Sequence, residues 1–333
     1  MALMKILYSI SSVTFFLFAL ASCLKETAGS NNPRDIYILG RQAVPVTDFP
    51  RITTVWKNGT PIEILDSSNG FIGSFLAVSG SDIYVIGWEG TTSDYIFYKN
   101  GIRKVINGSP SNGITTPSIA VSGNDVYIAG LSDTLASTYW KNDLPVYMKY
   151  SIGVNITVSS SVAASQIAVQ GKDVYLLGIA GDTSQYQLPI LTFMPESWKN
   201  GNLNLLQSSE NSSATCITVS GPDVYISGNS SYGSIAMYWK NGVPITLGAG
   251  VTTCIAVSGS DVYVSGNSNN GDAIYWKNGN LVLLASNAKT SGIVVSGNDV
   301  YVSGNEGQFG VYWKNGIVDT LSPGTTTGIS LGN

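Results

Sequence analysis

Three acidic residues in long connecting segments are the candidates for acid–base chemistry: Asp48, Asp182 and Glu196. Two carboxylates about 5–10 Å apart can hydrolyse a glycosidic bond. The chain of 333 residues contains no histidine. Its absence removes Ser–His and Cys–His nucleophile pairs and the commonest metal ligand. We therefore expect a protein without catalytic residues, with a glycan-cleaving enzyme as the alternative.

Aromatic and charged side chains in the connecting segments are candidates for binding a ligand. Trp88 is the one tryptophan outside the repeated motif described below. An indole ring can stack on a sugar or a peptide, and aromatic residues are typical energetic anchors of interfaces. We expect a glycan or protein ligand. The candidate binding residues are Trp88, Arg41, Arg51, Asp182, Tyr186, Phe193 and Tyr232.

The three cysteines are Cys23, Cys216 and Cys254. The last two occupy the same place in neighbouring repeats. We expect equivalent positions of adjacent repeats to be too far apart for a disulfide, which needs Cα atoms within about 7 Å, although an oxidising compartment would favour one. The prediction is buried free thiols. Two cysteines without histidine do not indicate a metal site, and no cofactor is expected.

These residues are carried by a unit that occurs seven times. Each repeat contains an Asp-Val/Ile-Tyr strand, and a later aromatic residue is followed by Lys-Asn-Gly, except that Asp143 replaces the glycine after Trp140. Asn-Gly suits a type I′ hairpin turn, because both central residues need positive φ. We number the repeats 1 to 7 by their anchor residues: Asp35, Asp82, Asp125, Asp173, Asp223, Asp261 and Asp299.

Four short strands every ~40–45 residues is the period of a propeller blade. Repeat 1 lacks the first strand, and the C-terminal residues 327–333 supply a matching sequence. Pairing the two ends would remove two exposed sheet edges. The sequence therefore predicts an all-β, seven-bladed β-propeller over residues 35–333, closed by the C-terminal strand.

The repeated aromatic residues are expected to pack between blades, and each repeated Asp to accept backbone N–H groups within its own turn. The strand order places the Ser-Gly-X-Asp and Lys-Asn-Gly turns on one face. The variable connections lie on the other face, the longest being 41–54, 149–165 and 179–197. Variable loops on a rigid scaffold are the usual place for binding.

Residues 1–22 have the pattern of a secretory signal: Lys5 and then an apolar stretch up to Cys23. Leu20-Ala-Ser-Cys23 resembles the bacterial lipobox, in which the cysteine becomes the lipidated first residue. The resemblance implies lipidation of Cys23, a polar tether over residues 23–34 and a membrane partner through the lipid anchor. Leu24 after the cysteine resembles outer-membrane sorting, so we expect a bacterial outer-membrane location, on the periplasmic or the cell-surface side.

The charge composition bears on the partners. The net charge is −4 and only 11% of the residues are charged. Nucleic-acid binding would need a basic stripe, so we expect no nucleic-acid partner. We expect a monomer.

The repeat Asp-Val-Tyr-Val-X-Gly…Tyr-Trp-Lys-Asn-Gly…Leu resembles a group of bacterial lipoproteins with β-propeller repeats. The resemblance covers about residues 35–333. It implies the fold but no particular ligand.

Overall fold

The structure, a computed structural model, describes residues 34–43, 51–65, 70–89, 95–107, 116–132, 137–148, 163–182, 192–207, 212–230 and 233–332. These residues form 27 strands. No helix in the described segments has the length and apolarity that a membrane crossing requires.

The strands follow the predicted repeats. In chain order they are β1 (Ile36–Ala43), β2 (Arg51–Lys57), β3 (Thr60–Ile64), β4 (Phe71–Ser79), β5 (Asp82–Glu89), β6 (Tyr95–Lys99), β7 (Ile102–Val105), β8 (Ser118–Ser122), β9 (Asp125–Leu131), β10 (Ser137–Lys141), β11 (Leu144–Tyr147), β12 (Ala163–Gln170), β13 (Asp173–Asp182), β14 (Thr192–Lys199), β15 (Asn202–Leu205), β16 (Ser213–Ser220), β17 (Asp223–Ser230), β18 (Ile235–Lys240), β19 (Val243–Ala249), β20 (Val251–Ser258), β21 (Asp261–Asn267), β22 (Ala273–Lys277), β23 (Asn280–Ala285), β24 (Ala288–Ser296), β25 (Asp299–Glu306), β26 (Phe309–Lys314) and β27 (Ile317–Leu331).

Repeats 2 to 6 each form one four-stranded antiparallel sheet, in which every strand pairs with the next along the chain. In repeat 6, Ser258 pairs with Asp261 and Lys277 pairs with Asn280, so two-residue turns close both hairpins. Asn278 has a φ of 51° and Gly279 a φ of 83°. Both central residues are left-handed, so the Asn-Gly turn is of the predicted kind.

The remaining strands form one seven-stranded sheet in the order β24-β25-β26-β27-β1-β2-β3. Strand β27 is 15 residues long. Its first part pairs with β26, and its second part pairs with β1 from Gln42↔Gly324 to Ile36↔Leu331. The predicted pairing of the C-terminal strand with the start of repeat 1 is therefore present.

The core is built on the repeated tryptophans. Trp56, Trp140, Trp198, Trp239, Trp276 and Trp313 are all almost completely buried. A glycine of the neighbouring strand lies against several of these rings. At Gly266, a Cβ atom would come 2.3 Å from the Val251 carbonyl oxygen and 2.7 Å from the Trp276 ring. The glycine of the Asp-Val-Tyr-Val-X-Gly motif is therefore required by close packing.

Two of the predicted long loops are shorter than expected, because the strands extend into them. Strand β1 continues to Ala43 and β2 begins at Arg51, so Arg41 and Arg51 lie on strands. Strand β13 ends at Asp182 and β14 begins at Thr192. Trp88, expected in a loop, lies in β5.

The prediction of free thiols is wrong. Cys216 and Cys254 form a disulfide, with their Cα atoms 5.0 Å apart. The inner strands β16 and β20 approach each other closely here, and the Ile255 N–H even donates to Cys216 Sγ at 3.4 Å. These equivalent positions lie closer together than expected, because neighbouring sheets converge at their inner strands.

Candidate functional site

One rim of the structure carries the short turns of all seven repeats, and we call it the turn rim. In repeat 6, the Asp261 carboxylate accepts a hydrogen bond from Asn278 Nδ2 at 2.8 Å. It also forms an ion pair with Lys277 Nζ at 3.0 Å. Asn278 Oδ1 accepts from the Val262 N–H at 2.8 Å. Lys277 Nζ lies 5.2 Å from the centre of the Tyr263 ring. The same Asp–Lys–Asn arrangement occurs in every repeat.

The arrangement differs from the prediction that each Asp would accept backbone N–H groups within its own turn. The repeated carboxylates instead accept from the Lys and Asn side chains of the other hairpin. Hydrogen bonds from Lys199 and, to a smaller extent, Asn200 lower the pKa of Asp173. The Asp173 carboxylate conversely raises the pKa of Lys199. The anchor carboxylate of each repeat is therefore paired with the Lys and Asn side chains of the same repeat.

The turn rim also contains a cleft of 380 Å³ between repeats 2 and 3. Here the repeat is broken: Lys104 pairs with Asp143, which replaces the usual glycine. Arg103 makes a two-pronged contact to the buried Glu89, with both nitrogen–oxygen distances at 2.7 Å. The cleft distinguishes repeats 2 and 3 from the other turns of this rim. Its cations are matched by acids, so it offers no uncompensated charge to a ligand.

The opposite rim carries the variable connections, and we call it the loop rim. The second strand of each repeat reaches it just after the packing glycine. The residue that follows this glycine differs between repeats. In order, these residues are Arg41, Trp88, Leu131, Ile179, Asn229, Asn267 and Asn305. Two of the predicted binding residues, Arg41 and Trp88, therefore occupy one structural position in consecutive repeats.

In repeats 5 to 7, the asparagine at this position joins one repeat to the next. Asn267 Oδ1 accepts from the buried Thr290 N–H at 3.0 Å. Asn229 makes the same bond to the Thr252 N–H at 2.8 Å, and Asn305 to the Thr326 N–H at 2.7 Å. We call these three bonds the asparagine staples. They satisfy buried amides that would otherwise have no partner.

Buried hydroxyls reinforce the same junctions. The register of inner strand β20 against β21 shifts by one residue, which leaves Thr253 as the extra residue in β20. Thr253 Oγ1 lies 2.7 Å from Ser265 Oγ and 2.9 Å from Thr290 Oγ1 of the next repeat. Thr215 and Ser291 make the equivalent bonds in their repeats. The last repeats are thus joined by polar contacts as well as by packing.

Arg41 behaves differently from the asparagines at its position. It is half-buried, and its Nε is a buried donor without a hydrogen-bond partner in the described structure. Burial, followed by the like charge of Arg51, lowers the pKa of Arg41. The structure therefore brings Arg41 and Arg51 together, as residues of one hairpin.

The other candidate binding residues are placed less completely. Trp88 is half-buried in β5, between Ile72 and Tyr95 in the strand pairing. The backbones of Asp182 and Phe193 lie at the end of the β13–β14 hairpin, and their side chains fall outside the described part. Tyr186, Tyr232 and Cys23 lie outside the described residues.

Of the three carboxylates considered for acid–base chemistry, Glu196 is the one whose side chain is described. Its side chain is largely buried, and burial raises the pKa of the carboxyl group. A carboxyl group with a raised pKa can act as a general acid. Asp48 lies outside the described residues, and so does the side chain of Asp182. Within the described segments, no group of three or more His, Cys, Asp or Glu residues could hold a metal ion.

No protein-family model matches the sequence, and no curated protein matches it either. Solved structures do resemble the fold. The β-propeller domain of the Trilobed protease from Pyrococcus furiosus has a TM-score of 0.55 and 12% identity, over 88% of this chain and 95% of that one. A chain of the nidogen/laminin complex has a TM-score of 0.45 and 10% identity, over 89% of this chain and 98% of that one.

A putative 6-phosphogluconolactonase from Bacteroides fragilis has a TM-score of 0.42 and 10% identity, over 92% of this chain and 100% of that one. The likeness to the Pyrococcus furiosus domain, together with the sheets described above, shows a β-propeller fold.

Proposed function

We propose that the chain is a non-catalytic binding scaffold, lipid-anchored at the bacterial outer membrane, which holds a glycan or protein ligand on its loop rim. The observation that carries this proposal is the position shared by Arg41 and Trp88. In repeats 5 to 7 the same position holds an asparagine staple. In repeats 1 and 2 it holds an arginine whose Nε has no hydrogen-bond partner among the described residues, and a half-buried indole.

The scaffold we propose is a seven-bladed ring closed by β27. Five four-stranded sheets account for repeats 2 to 6. The seven-stranded sheet divides into two further four-stranded units if β27 is counted in both, since it pairs with β26 and with β1. The Pyrococcus furiosus domain is described as having an open velcro topology, so the pairing of β27 with β1 is a point on which the two can be compared experimentally.

The anchor is inferred from the lipobox resemblance of Leu20-Ala-Ser-Cys23. Several acyl chains on one cysteine would anchor a protein stably. Cys23→Ser should release soluble protein or leave an unprocessed precursor. Membrane fractionation together with metabolic labelling by palmitate tests this. A wild-type chain that takes up no acyl label would rule out the anchor.

The binding function is tested on a glycan array with the full chain carrying Cys23→Ser. We expect binding to a restricted set of glycans and its loss in Trp88→Ala. Tyr147→Ala is the matched control, because Tyr147 is an exposed aromatic on the outer strand β11. Equal binding by both variants, with loss on changing the Lys-Asn-Gly turns, would place the ligand on the turn rim. A protein ligand would be sought by the same comparison in pull-down experiments.

Turnover on the bound glycan separates the scaffold from the glycan-cleaving enzyme. Glu196 gives that enzyme its one described carboxyl group with a raised pKa. We expect the glycan to be recovered intact after long incubation. Release of reducing ends that Glu196→Gln abolishes would establish a hydrolase instead.

A further inference from the structure

We propose that Arg41 and Arg51 form an anion-binding site on the loop rim, and that it takes the carboxylate of an acidic glycan. This inference rests on the proposed binding function and specifies the ligand class of the same rim.

The hairpin geometry places both arginines on one face. Arg41 pairs with Thr53, and Ala43 pairs with Arg51. Residues that pair directly, and residues two apart on one strand, point to the same side of a sheet. Arg41 and Arg51 are therefore diagonal neighbours, a relation in which long side chains can meet. The influence of the Arg51 charge on Arg41 agrees with this placement.

Arg41 also does not make the inter-repeat hydrogen bond that the asparagine at its position makes in repeats 5 to 7. There, an asparagine oxygen accepts the N–H of the residue before the bulge in the next inner strand. An arginine has only donors and cannot accept this bond. The equivalent amide in repeat 2 is that of Gly73, and it donates instead to Thr53 Oγ1 at 3.1 Å. Thr53 therefore accepts the structural bond, and Arg41 is not needed for it.

Neither arginine is neutralised within the described residues. The ion pairs there engage Arg103 and the lysines. Arg103 provides the contrast, because its guanidinium donates to both carboxylate oxygens of Glu89. Arg41 instead keeps a buried Nε–H without an acceptor. A half-buried cation beside a like charge is unfavourable unless an anion joins the pair.

The donor geometry indicates the chemical class of the ligand. A guanidinium presents parallel N–H donors that match the two oxygens of a carboxylate. Trp88 lies at the same position of the next repeat and adds an apolar surface to the same rim. A uronic acid combines a carboxylate with an apolar ring face. These features favour an acidic glycan over a neutral one.

The experiment measures binding of tri-galacturonate, its methyl ester and inorganic phosphate to the full chain carrying Cys23→Ser, by calorimetry at constant ionic strength. The variants are Arg41→Met, Arg51→Gln and, as matched control, Lys172→Gln. Lys172 is an exposed cation on the turn rim, so its removal changes the net charge equally. Arg51 is exposed, so Arg51→Gln tests the site even if Arg41→Met unfolds the protein.

We expect the acid to bind at least about tenfold more tightly than its methyl ester, since hydrogen bonds to charged groups contribute about 1.5–3 kcal/mol. Arg41→Met and Arg51→Gln should each lose that preference, and Lys172→Gln should keep it. Phosphate should bind weakly and compete with the acid only in chains that retain both arginines.

Equal binding of acid and ester, or equal effects of the three variants, would overturn the inference. If neutral glycans bind the loop rim as well as acidic ones, the proposed function stands and this inference fails. Capture of an acidic peptide through both arginines, without any binding of tri-galacturonate, would overturn the assignment to a glycan. If no glycan or protein binds at all, the proposed function itself fails.

Discussion

The asparagine staples offer a quantitative test of how the repeats are held together. Asn267 Oδ1 accepts the Thr290 N–H at 3.0 Å in a buried junction between repeats 6 and 7. Asn267→Ala removes the acceptor and leaves the amide buried without a partner. Asn269→Ala is the matched control, because Asn269 is exposed and lies two residues away.

An orphaned buried donor costs about 1–3 kcal/mol, so we take about 2 kcal/mol for Asn267→Ala. Unfolding entropy is about 2.1 cal/mol/K per residue, or about 0.6 kcal/mol/K for a domain of roughly 300 residues. The expected fall in Tm is then about 3 °C. Asn229 and Asn305 staple other junctions. The triple alanine variant should therefore lose about 6 kcal/mol and about 10 °C, because distant sites add.

Differential scanning calorimetry and urea unfolding at neutral pH measure both quantities. Asn269→Ala should stay within about 0.5 kcal/mol of wild type, as surface substitutions usually do. The reasoning is refuted if Asn267→Ala is as stable as Asn269→Ala.

Three further predictions concern the disulfide, the turn rim and the final strand. Cys216 and Cys254 are separated by 38 residues, so Cys254→Ser should lose up to about 4 kcal/mol of stability in urea unfolding; an unchanged midpoint, with or without reductant, would contradict the disulfide. The anchor aspartates have a folded pKa below the ordinary value of 3.8, so their stabilisation is present above pH 3.8 and is lost as the pH falls through the folded pKa. Acid unfolding of wild type and Asp261→Asn is compared by circular dichroism. If titration of Asp261 drives the transition, as we expect, the variant should begin to unfold at the wild-type pH or lower. If Asp261 contributes only hydrogen bonds that do not depend on its charge, the variant should begin to unfold at higher pH. Removal of residues 325–333 takes away the strand that pairs with β1 and should abolish cooperative unfolding, whereas removal of residue 333 alone should not; a cooperative wild-type-like melt of the longer deletion would show that the pairing is dispensable.

Local features of the sequence predicted the strands and turns well. The Asn-Gly turns, the alternating strands and the tryptophans each lie within single hairpins. Every repeat shows them again, so the pattern can be recognised from the sequence. The pairing of the last strand with the first was also predictable, because repeat 1 visibly lacks a strand. These features can be predicted from short stretches of chain and from the number of strands in each repeat.

Contacts between repeats were harder to predict. The Cys216–Cys254 disulfide and the asparagine staples depend on how closely neighbouring inner strands approach, which no spacing along the chain reveals. The placement of Arg41 and Arg51 as diagonal neighbours depends on the register of β1 with β2, where we expected a loop. The Ser-Gly-Asn sequence of repeats 5 to 7 was a usable signal, since a polar residue there replaces the Leu131 and Ile179 of other repeats.

The double pairing of β27 has a consequence for the order of events during synthesis. Thr327 Oγ1 donates to the Leu39 carbonyl oxygen, a contact that spans 288 residues of chain. Strand β1 is synthesised first, but it can pair with β27 only after almost the whole chain has been synthesised. A chain that stops before β27 would leave this edge of β1 unpaired, and an unpaired strand edge favours aggregation.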